Sequence, residues 1–450
     1  MRKYLGGAAR KKPKGPAPPL EYSLLLTATM CLLAFGAVMV FSASSAKNLL
    51  AEGGNGTYYF ERTVMFAAVG LIAMRLLAAK GAPLARALTP LLLGASLLGL
   101  LAVLVPGVGQ GANGSSRWIG AGLFQVQPTE IAKVAIILYG AHLLAANPRR
   151  IRDLHGLAPY LVMVGVCALL IIKEPDLGSG MVLCFSVVAL LTAAGVRART
   201  LAPVGAAIAI AALLMIMVSP YQQDRLTGFL HPSADASGTG FQANQAKISI
   251  GSGEITGVGL GQGTQKASYL PEAHTDMIAA VIGEETGFIG ILTLVGLFGL
   301  FGWAGMRAAH RARDRYSKLM AAGLTSLILA QAVVNLYAVL GLAPLTGVTL
   351  PFISYGGSSL VMTLASAGLI LNVARTRGIA TSRSTSSGAR KASRPAASGG
   401  SARAAKLRAV EGGGNREQSR RTASAKRRSS SGRNRGSRGS GARRRRRAAS

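Results

Sequence analysis

Asp276 stands where a long polar stretch gives way to an apolar run, at the end of Tyr269-Leu-Pro-Glu-Ala-His-Thr-Asp276. A carboxylate there is suited to take a proton from a hydroxyl or to hold a divalent cation, magnesium or manganese. The same position suits an N-cap, since Thr or Asp before an apolar helix is ordinary capping chemistry. Spacing leaves both readings open. His274 reads as a loop residue. Further upstream, Pro128-Thr-Glu130-Ile-Ala-Lys133 opens another apolar run. Glu130 and Lys133 share a helix face and can pair, with Lys133 roughly 7–8 Å deeper than Pro128. Ionisable groups at such depth face a cavity or a partner. Arg117-Trp118 and Lys173-Glu-Pro-Asp176 occupy neighbouring loops, where Arg117 is suited to phosphate oxygens. Glu284 and Glu285 fall about 12 Å into the run after Asp276, and at least one should line a polar interior. The glycines from Gly251 to Gly263 lack the strand–loop–helix setting of a phosphate cradle and read as a flexible loop. Pro351-Phe-Ile-Ser354-Tyr-Gly-Gly-Ser358-Ser359 reads as an irregular segment lining a cavity.

The elements that position these groups are apolar runs near Tyr22–Phe41, Thr63–Leu77, Leu88–Val105, Pro128–Leu144, Leu157–Ile172, Ser179–Ala194, Leu201–Val218, Met277–Trp303, Leu319–Leu342 and Leu350–Val373. Such runs read as membrane spans, giving an all-α polytopic fold of about ten helices with a large extracytoplasmic loop, roughly Ser219–Thr275, between helices 7 and 8. Alternate short connections hold Arg75, Lys80 and Arg86, then Arg149, Arg150 and Arg152, then Arg197 and Arg199, then Arg307 through Lys318. That bias places those connections and both termini in the cytoplasm of a cell whose cytoplasmic membrane the chain crosses. Arg117, Glu130, Lys133, Asp176, Lys247, Lys266, Asp276 and Ser354 then all gather at or near the outer face. They point to one site for an anionic, membrane-embedded substrate.

The net charge of +33 excludes little by itself, because it sits in the tails. From Arg375 onward there are 23 Lys and Arg against Glu411 and Glu417, and residues 1–20 hold six with no acid, leaving the body near +6. The chain divides into a basic cytoplasmic tail (1–20), a membrane domain (21–377) and a Ser/Gly/Arg-rich tail (378–450) too poor in apolar residues to form a core. The long tail is suited to tether anionic lipid or acidic partners, and no nucleic-acid partner is expected. Cys31, Cys167 and Cys184 lie apart within apolar runs and read as apolar filler.

Several ordered motifs resemble the SEDS (shape, elongation, division, sporulation) family of bacterial cell-wall proteins over about residues 22–377. They are Ser116-Arg-Trp118 with Gln127-Pro-Thr-Glu130 and Lys133; Pro175-Asp-Leu-Gly178; Gly251-Ser-Gly253 through Gln265-Lys266; Tyr269 through Asp276; and Gly341-Leu-Ala-Pro-Leu-Thr-Gly347 with Gly356-Gly-Ser-Ser359. The resemblance implies a glycosyltransferase that polymerises lipid II into peptidoglycan outside the membrane, alongside a class B penicillin-binding transpeptidase and other division proteins. It places the family's essential aspartate at Asp276, its membrane Glu and Lys at Glu130 and Lys133, and its outer-loop Asp at Asp176. Arg117, Lys133 and Lys266 would then meet phosphate charge. The Val38-Met-Val-Phe-Ser-Ala-Ser44 run, the Pro271-Glu-Ala-His-Thr-Asp276 run and the basic tail look most like the family's division member, with an elongation polymerase or a lipid II flippase as alternatives. Departures are Thr129 for Ser, Glu174 for Gln, Phe241 for Tyr, Met277-Ile-Ala-Ala for an aromatic-rich run, and Ser268 for an acid found in some relatives.

Overall fold

A computed structural model describes residues 19–50, 57–112, 115–120, 125–148, 153–231, 239–268 and 270–392. Arg149, Arg150, Arg152, Tyr269 and most of both tails lie outside the described residues. In chain order the helices are α1 (Leu20–Leu50), α2 (Tyr58–Val103), α3 (Pro128–Ala146), α4 (Leu154–Lys173), α5 (Leu177–Ala194), α6 (Ala198–Val218), α7 (Pro220–Leu230), α8 (Thr239–Ser252), α9 (Gln265–Ser268), α10 (Ile278–His310), α11 (Arg315–Val339) and α12 (Gly357–Ala392). A two-stranded antiparallel hairpin, β1 (Gly109–Ala112) and β2 (Ser115–Ile119), follows α2.

Nine of these helices are long and apolar enough to cross a membrane. One of them, α2, is broken at Gly81, whose φ of 60° and ψ of −147° no L-residue adopts cheaply, so it makes two of the ten passes expected. A Cβ at Gly81 would also strike the Asn372 amide of α12. Large apolar side chains point outward from these helices, Leu91, Leu98, Leu169 and Val218 among them at 64–79% exposure. Water would not tolerate such a surface and a hydrocarbon slab requires it, so the chain is an integral membrane protein. The most enclosed spans are α3, α11 and α12, and α6 is the least.

The connection Ser219–Thr275, expected as a loop, contains three helices, α7, α8 and α9. Its glycine run is also no free loop: it fills a break in α10. Gly287 (φ 65°, ψ −162°) interrupts that helix, which removes the usual bonds from the amides of 288 and 289 to the carbonyls of 284 and 285. The run supplies all four partners. Phe288 and Ile289 donate to Glu254 O and Ile255 O at 3.0 and 3.2 Å, while Val258 and Gly259 donate to Glu284 O and Glu285 O at 3.0 and 3.1 Å. Non-helical backbone near a membrane is tolerated only when satisfied in this way. The close approach needs glycine, since a Cβ on Gly257 would lie 2.2 Å from Glu285 O. Only residues 288–310 of α10 therefore form its regular membrane-crossing stretch, and Glu284 and Glu285 sit before the break.

Candidate functional site

At the end of the bundle where α10 begins, several segments line a cavity of about 330 Å³. The hairpin contributes Arg117 and Trp118, because β2 pairs with β1 in a register that sets Trp118 opposite Gln110. The first turn of α3 contributes Glu130, α2 contributes Arg62, and α7 contributes Tyr221 and Arg225. The turn before α10 brings Glu272, Thr275 and Asp276, and the segment between α11 and α12 brings Gly347 and Tyr355.

The two open readings of Asp276 separate here. The N-cap of α10 is Met277, with no side-chain capping bond, so the Asp276 carboxylate is not a cap. It lines the cavity and accepts from Thr275 Oγ1 at 3.3 Å. Its backbone is held from below: Asn335 of α11 donates to Asp276 O at 2.8 Å and to Val348 O at 2.7 Å, tying two walls of the cavity together. Desolvation, then the neighbouring Glu272 charge, push its pKa up to about 6, against the opposing pull of Arg225. A carboxylate tuned there is largely ionised at neutral pH and still basic enough to take a proton.

The cations facing this group are arginines. Arg225 donates to Leu345 O at 2.8 Å and to Tyr221 Oη at 2.6 Å, and stacks on the Tyr221 ring. A Cβ built on Gly347 would lie 3.8 Å from both Asp276 Oδ2 and the Arg225 guanidinium, so a bare glycine separates the two charges. Arg117 donates to Glu174 O and Pro175 O at 3.3 and 2.7 Å, fixing its guanidinium to the α4–α5 turn. Arg62 stacks over Tyr58. The Nε atoms of Arg62 and Arg225 are buried with no partner among the described residues.

Lys133 is nearly inaccessible and lies behind Glu130. Its Nζ donates to Glu130 Oε1 at 2.8 Å and to Gln331 Oε1 at 3.1 Å. Gln331 passes the network on through its amide, which donates to Thr349 O and Ser359 Oγ at 3.1 and 3.2 Å. Only Glu130 of the pair lines the cavity. Asp176, expected near the substrate, caps α5 by accepting from Ser179 N at 3.0 Å. Ser354 accepts from Leu350 N at 2.8 Å and shapes the turn before Tyr355. Lys266 is buried elsewhere, in an ion pair with Glu285 that Ser42 of α1 joins. Lys247 is exposed on α8. The structure thus brings Arg117, Glu130 and Asp276 to the cavity and leaves Lys133, Asp176, Lys247, Lys266 and Ser354 outside its lining.

Glu284 and Glu285 do occupy a polar interior, since Glu284 accepts from Thr264 N, Gln265 N and Ser249 Oγ at 2.7–3.1 Å. Sequence reasoning missed the amides Gln331 and Asn335. Four apart on an apolar span, they share one helix face, and that spacing was the available signal. Arg62 and Arg225 also reach the cavity, from α2 and α7, with no spacing in the sequence that singles them out.

Residues 22–378 match the FtsW/RodA/SpoVE family, described as "Cell cycle protein". The chain is 40% identical over 358 residues to a probable peptidoglycan glycosyltransferase FtsW of Trichlorobacter lovleyi, covering 78% of this chain and 93% of that one. It is 38% identical over 353 residues to the stage V sporulation protein E of Bacillus subtilis, covering 78% and 96%. Among solved structures, a chain from a work on structural coordination of polymerization and crosslinking by a peptidoglycan synthase complex superposes with a TM-score of 0.65 at 31% identity, covering 78% of this chain and 97% of that one. The crystal structure of the Thermus thermophilus rod shape determining protein RodA gives 0.57 at 28% identity, covering 78% and 96%. With the family's sequence pattern running through all ten passes and its fold superposing on them, the chain belongs to the FtsW/RodA/SpoVE family of cell cycle proteins.

Proposed function

We propose that the chain is a peptidoglycan glycosyltransferase that polymerises lipid II at the outer face of the cytoplasmic membrane, serving septal synthesis during cell division. The observation that carries the chemistry is the Asp276 carboxylate, free of capping duty, in a cavity shared with Arg62, Arg117 and Arg225. One lipid II molecule offers a sugar hydroxyl and the other an anomeric carbon bearing a polyprenyl pyrophosphate. As the hydroxyl oxygen bonds to that carbon, Asp276 takes the proton, and the bond to the pyrophosphate oxygen breaks. The leaving charge passes toward the arginines, whose guanidiniums already carry backbone and tyrosine contacts and need little reorganisation. Glu130, neutralised by Lys133, holds the cavity wall without adding a free anion. Lys133 and Lys266 therefore support the architecture, and Arg62 and Arg225 take the phosphate role beside Arg117.

A divalent cation fits this donor set in a limited way. Asp276 and Glu272 line the same cavity, and among the described residues no cluster of three His, Cys, Asp or Glu side chains gathers. Two carboxylates plus phosphate oxygens and water suit magnesium or manganese. When bound, such an ion would supply extra stabilisation of phosphate charge and a more acidic hydroxyl.

The family name of the curated relatives and the synthase-complex title support the reading, and they favour a penicillin-binding transpeptidase as partner. The arginine-rich connections at the other end of the bundle support placing the cavity outside and both termini in the cytoplasm. The test is purified protein in liposomes with lipid II and no other glycosyltransferase. Glycan polymer is expected, and translocation of lipid II without polymer would overturn the reading.

A further inference from the structure

At the end of the bundle opposite Asp276, a second polar cavity of about 320 Å³ opens between the Gly81 turn of α2, the α10–α11 connection and α12. The regular part of α10 from 288 to 310, about 34 Å long at 1.5 Å per residue, separates it from the site above. Three arginines line it: Arg86, Arg311 and Arg313. Their counter-charges are few. Arg86 donates to Asp314 Oδ2 at 3.1 Å and stacks over the Tyr316 ring. Arg311, with Arg307, pairs with the single carboxylate of Glu21 on α1. Arg313 is exposed and has no partner among the described residues. Among the described residues four guanidiniums thus face two carboxylates, and most of their N–H donors have no bond to another described residue. Asp314 is itself engaged twice, by Arg86 and as the cap of α11 through Ser317 N at 3.1 Å.

The cavity's height settles its environment. The spans of α10, α11 and α12 end or begin at His310, Arg315 and Arg375, and Asn372 and Val373 line the cavity wall. It therefore lies at the rim of the apolar slab, level with lipid headgroups. We propose that it binds the phosphate of an anionic phospholipid headgroup, with Arg313 and Arg311 gripping its oxygens and Arg86 closing the side. Basic pockets between membrane helices recognise anionic lipids through such contacts. Bound lipid would brace the α2 turn against α10, α11 and α12 together.

The test uses the full-length protein in neutral detergent, titrated with short-chain phosphatidylglycerol, short-chain phosphatidylcholine or inorganic phosphate and read by native mass spectrometry. Arg313→Gln removes the guanidinium at an exposed position of the cavity, and Arg199→Gln removes the same charge from an exposed position on α6 outside the cavity lining. Phosphatidylglycerol is expected to bind in preference to phosphatidylcholine. Arg313→Gln should weaken it about tenfold, about 1.4 kcal/mol, while Arg199→Gln leaves it unchanged. Arg313→Lys should recover part of the loss. Equal weakening by both Gln variants would reduce the effect to bulk charge and overturn the proposal, as would binding of inorganic phosphate as tightly as the lipid.

Discussion

Replacing Lys133 by Met removes the only cation paired with Glu130 among the described residues and keeps the length of the side chain. The ammonium is about 1% exposed and the Glu130 side chain 8%, so the remaining carboxylate stays mostly enclosed. Breaking a buried ion pair by removing one partner destabilises by about 3–5 kcal/mol, because an uncompensated charge is left behind. Two features pull the value toward the lower end. Glu130 borders the cavity and can take water there, and Gln331 keeps its donations to Thr349 and Ser359 while losing one accepted bond. The expected loss is therefore about 3 kcal/mol for Lys133→Met, and adding Glu130→Gln should restore at least about half of it, since no charge is then left unpaired. Denaturant unfolding in detergent micelles, with the double-mutant cycle completed, reads both quantities. Polymerisation should follow the same order: Lys133→Met weak through a cavity made more negative, the double variant recovering. If the double variant is as stable as wild type and still inactive, Lys133 touches phosphate directly and the supporting role fails. If Lys133→Met is as stable as wild type, the electrostatic reasoning fails.

Glu174, in the α4–α5 turn, has its pKa pushed up to about 8 by desolvation, against the bond from Thr129 and the nearby Arg117 charge. The folded state then holds a proton that the unfolded state has released above pH 4.5, so stability falls as pH rises from about 4.5 to 8. Glu174→Gln should be near neutral at about pH 4 and more stable than wild type by about 3–5 kcal/mol at pH 9, measured by unfolding at both values. Gly287→Ala should cost about 3 kcal/mol or more, because φ is +65° and a Cβ would lie 2.4 Å from Gly257 N, and a stability loss under about 1 kcal/mol would argue against the plugged break. The rate of polymerisation should rise with pH through about 6 as Asp276 ionises, and Asp276→Asn should abolish that limb.

The passes of the membrane domain were legible because runs such as Pro128–Leu144 and Leu319–Leu342 need only length and hydropathy to be recognised. Register within the passes was legible only where two charges shared a face, as with Glu130 and Lys133. What escaped was structure carried by single backbones. The break at Gly287 depends on four hydrogen bonds from a segment some 30 residues upstream, and nothing local marks one glycine of an apolar run as the one that breaks. The hairpin did have a signal in Asn113-Gly114, a pair that favours a tight turn between strands. Charge type was legible in the sequence, but partner choice was not. Lys266 and Lys133 share with Arg225 a place near one face, yet burial beside Glu285 and Glu130 withdraws both lysines, while Arg225 stands open to the cavity.

The chemistry rests on Asp276, and Asp276→Asn tests it most directly, because the amide keeps the side chain's shape and its bond from Thr275 can be replaced. Lipid II polymerisation by the purified, folded Asn variant should fall by about 10²–10⁴-fold, the range for a lost acid–base group. Unfolding stability at neutral pH should be at least that of wild type, since the carboxylate caps no helix, pairs with no cation within 4 Å among the described residues, and is held in an environment that disfavours its charge. Near-wild-type polymer from a well-folded Asp276→Asn protein would contradict the account.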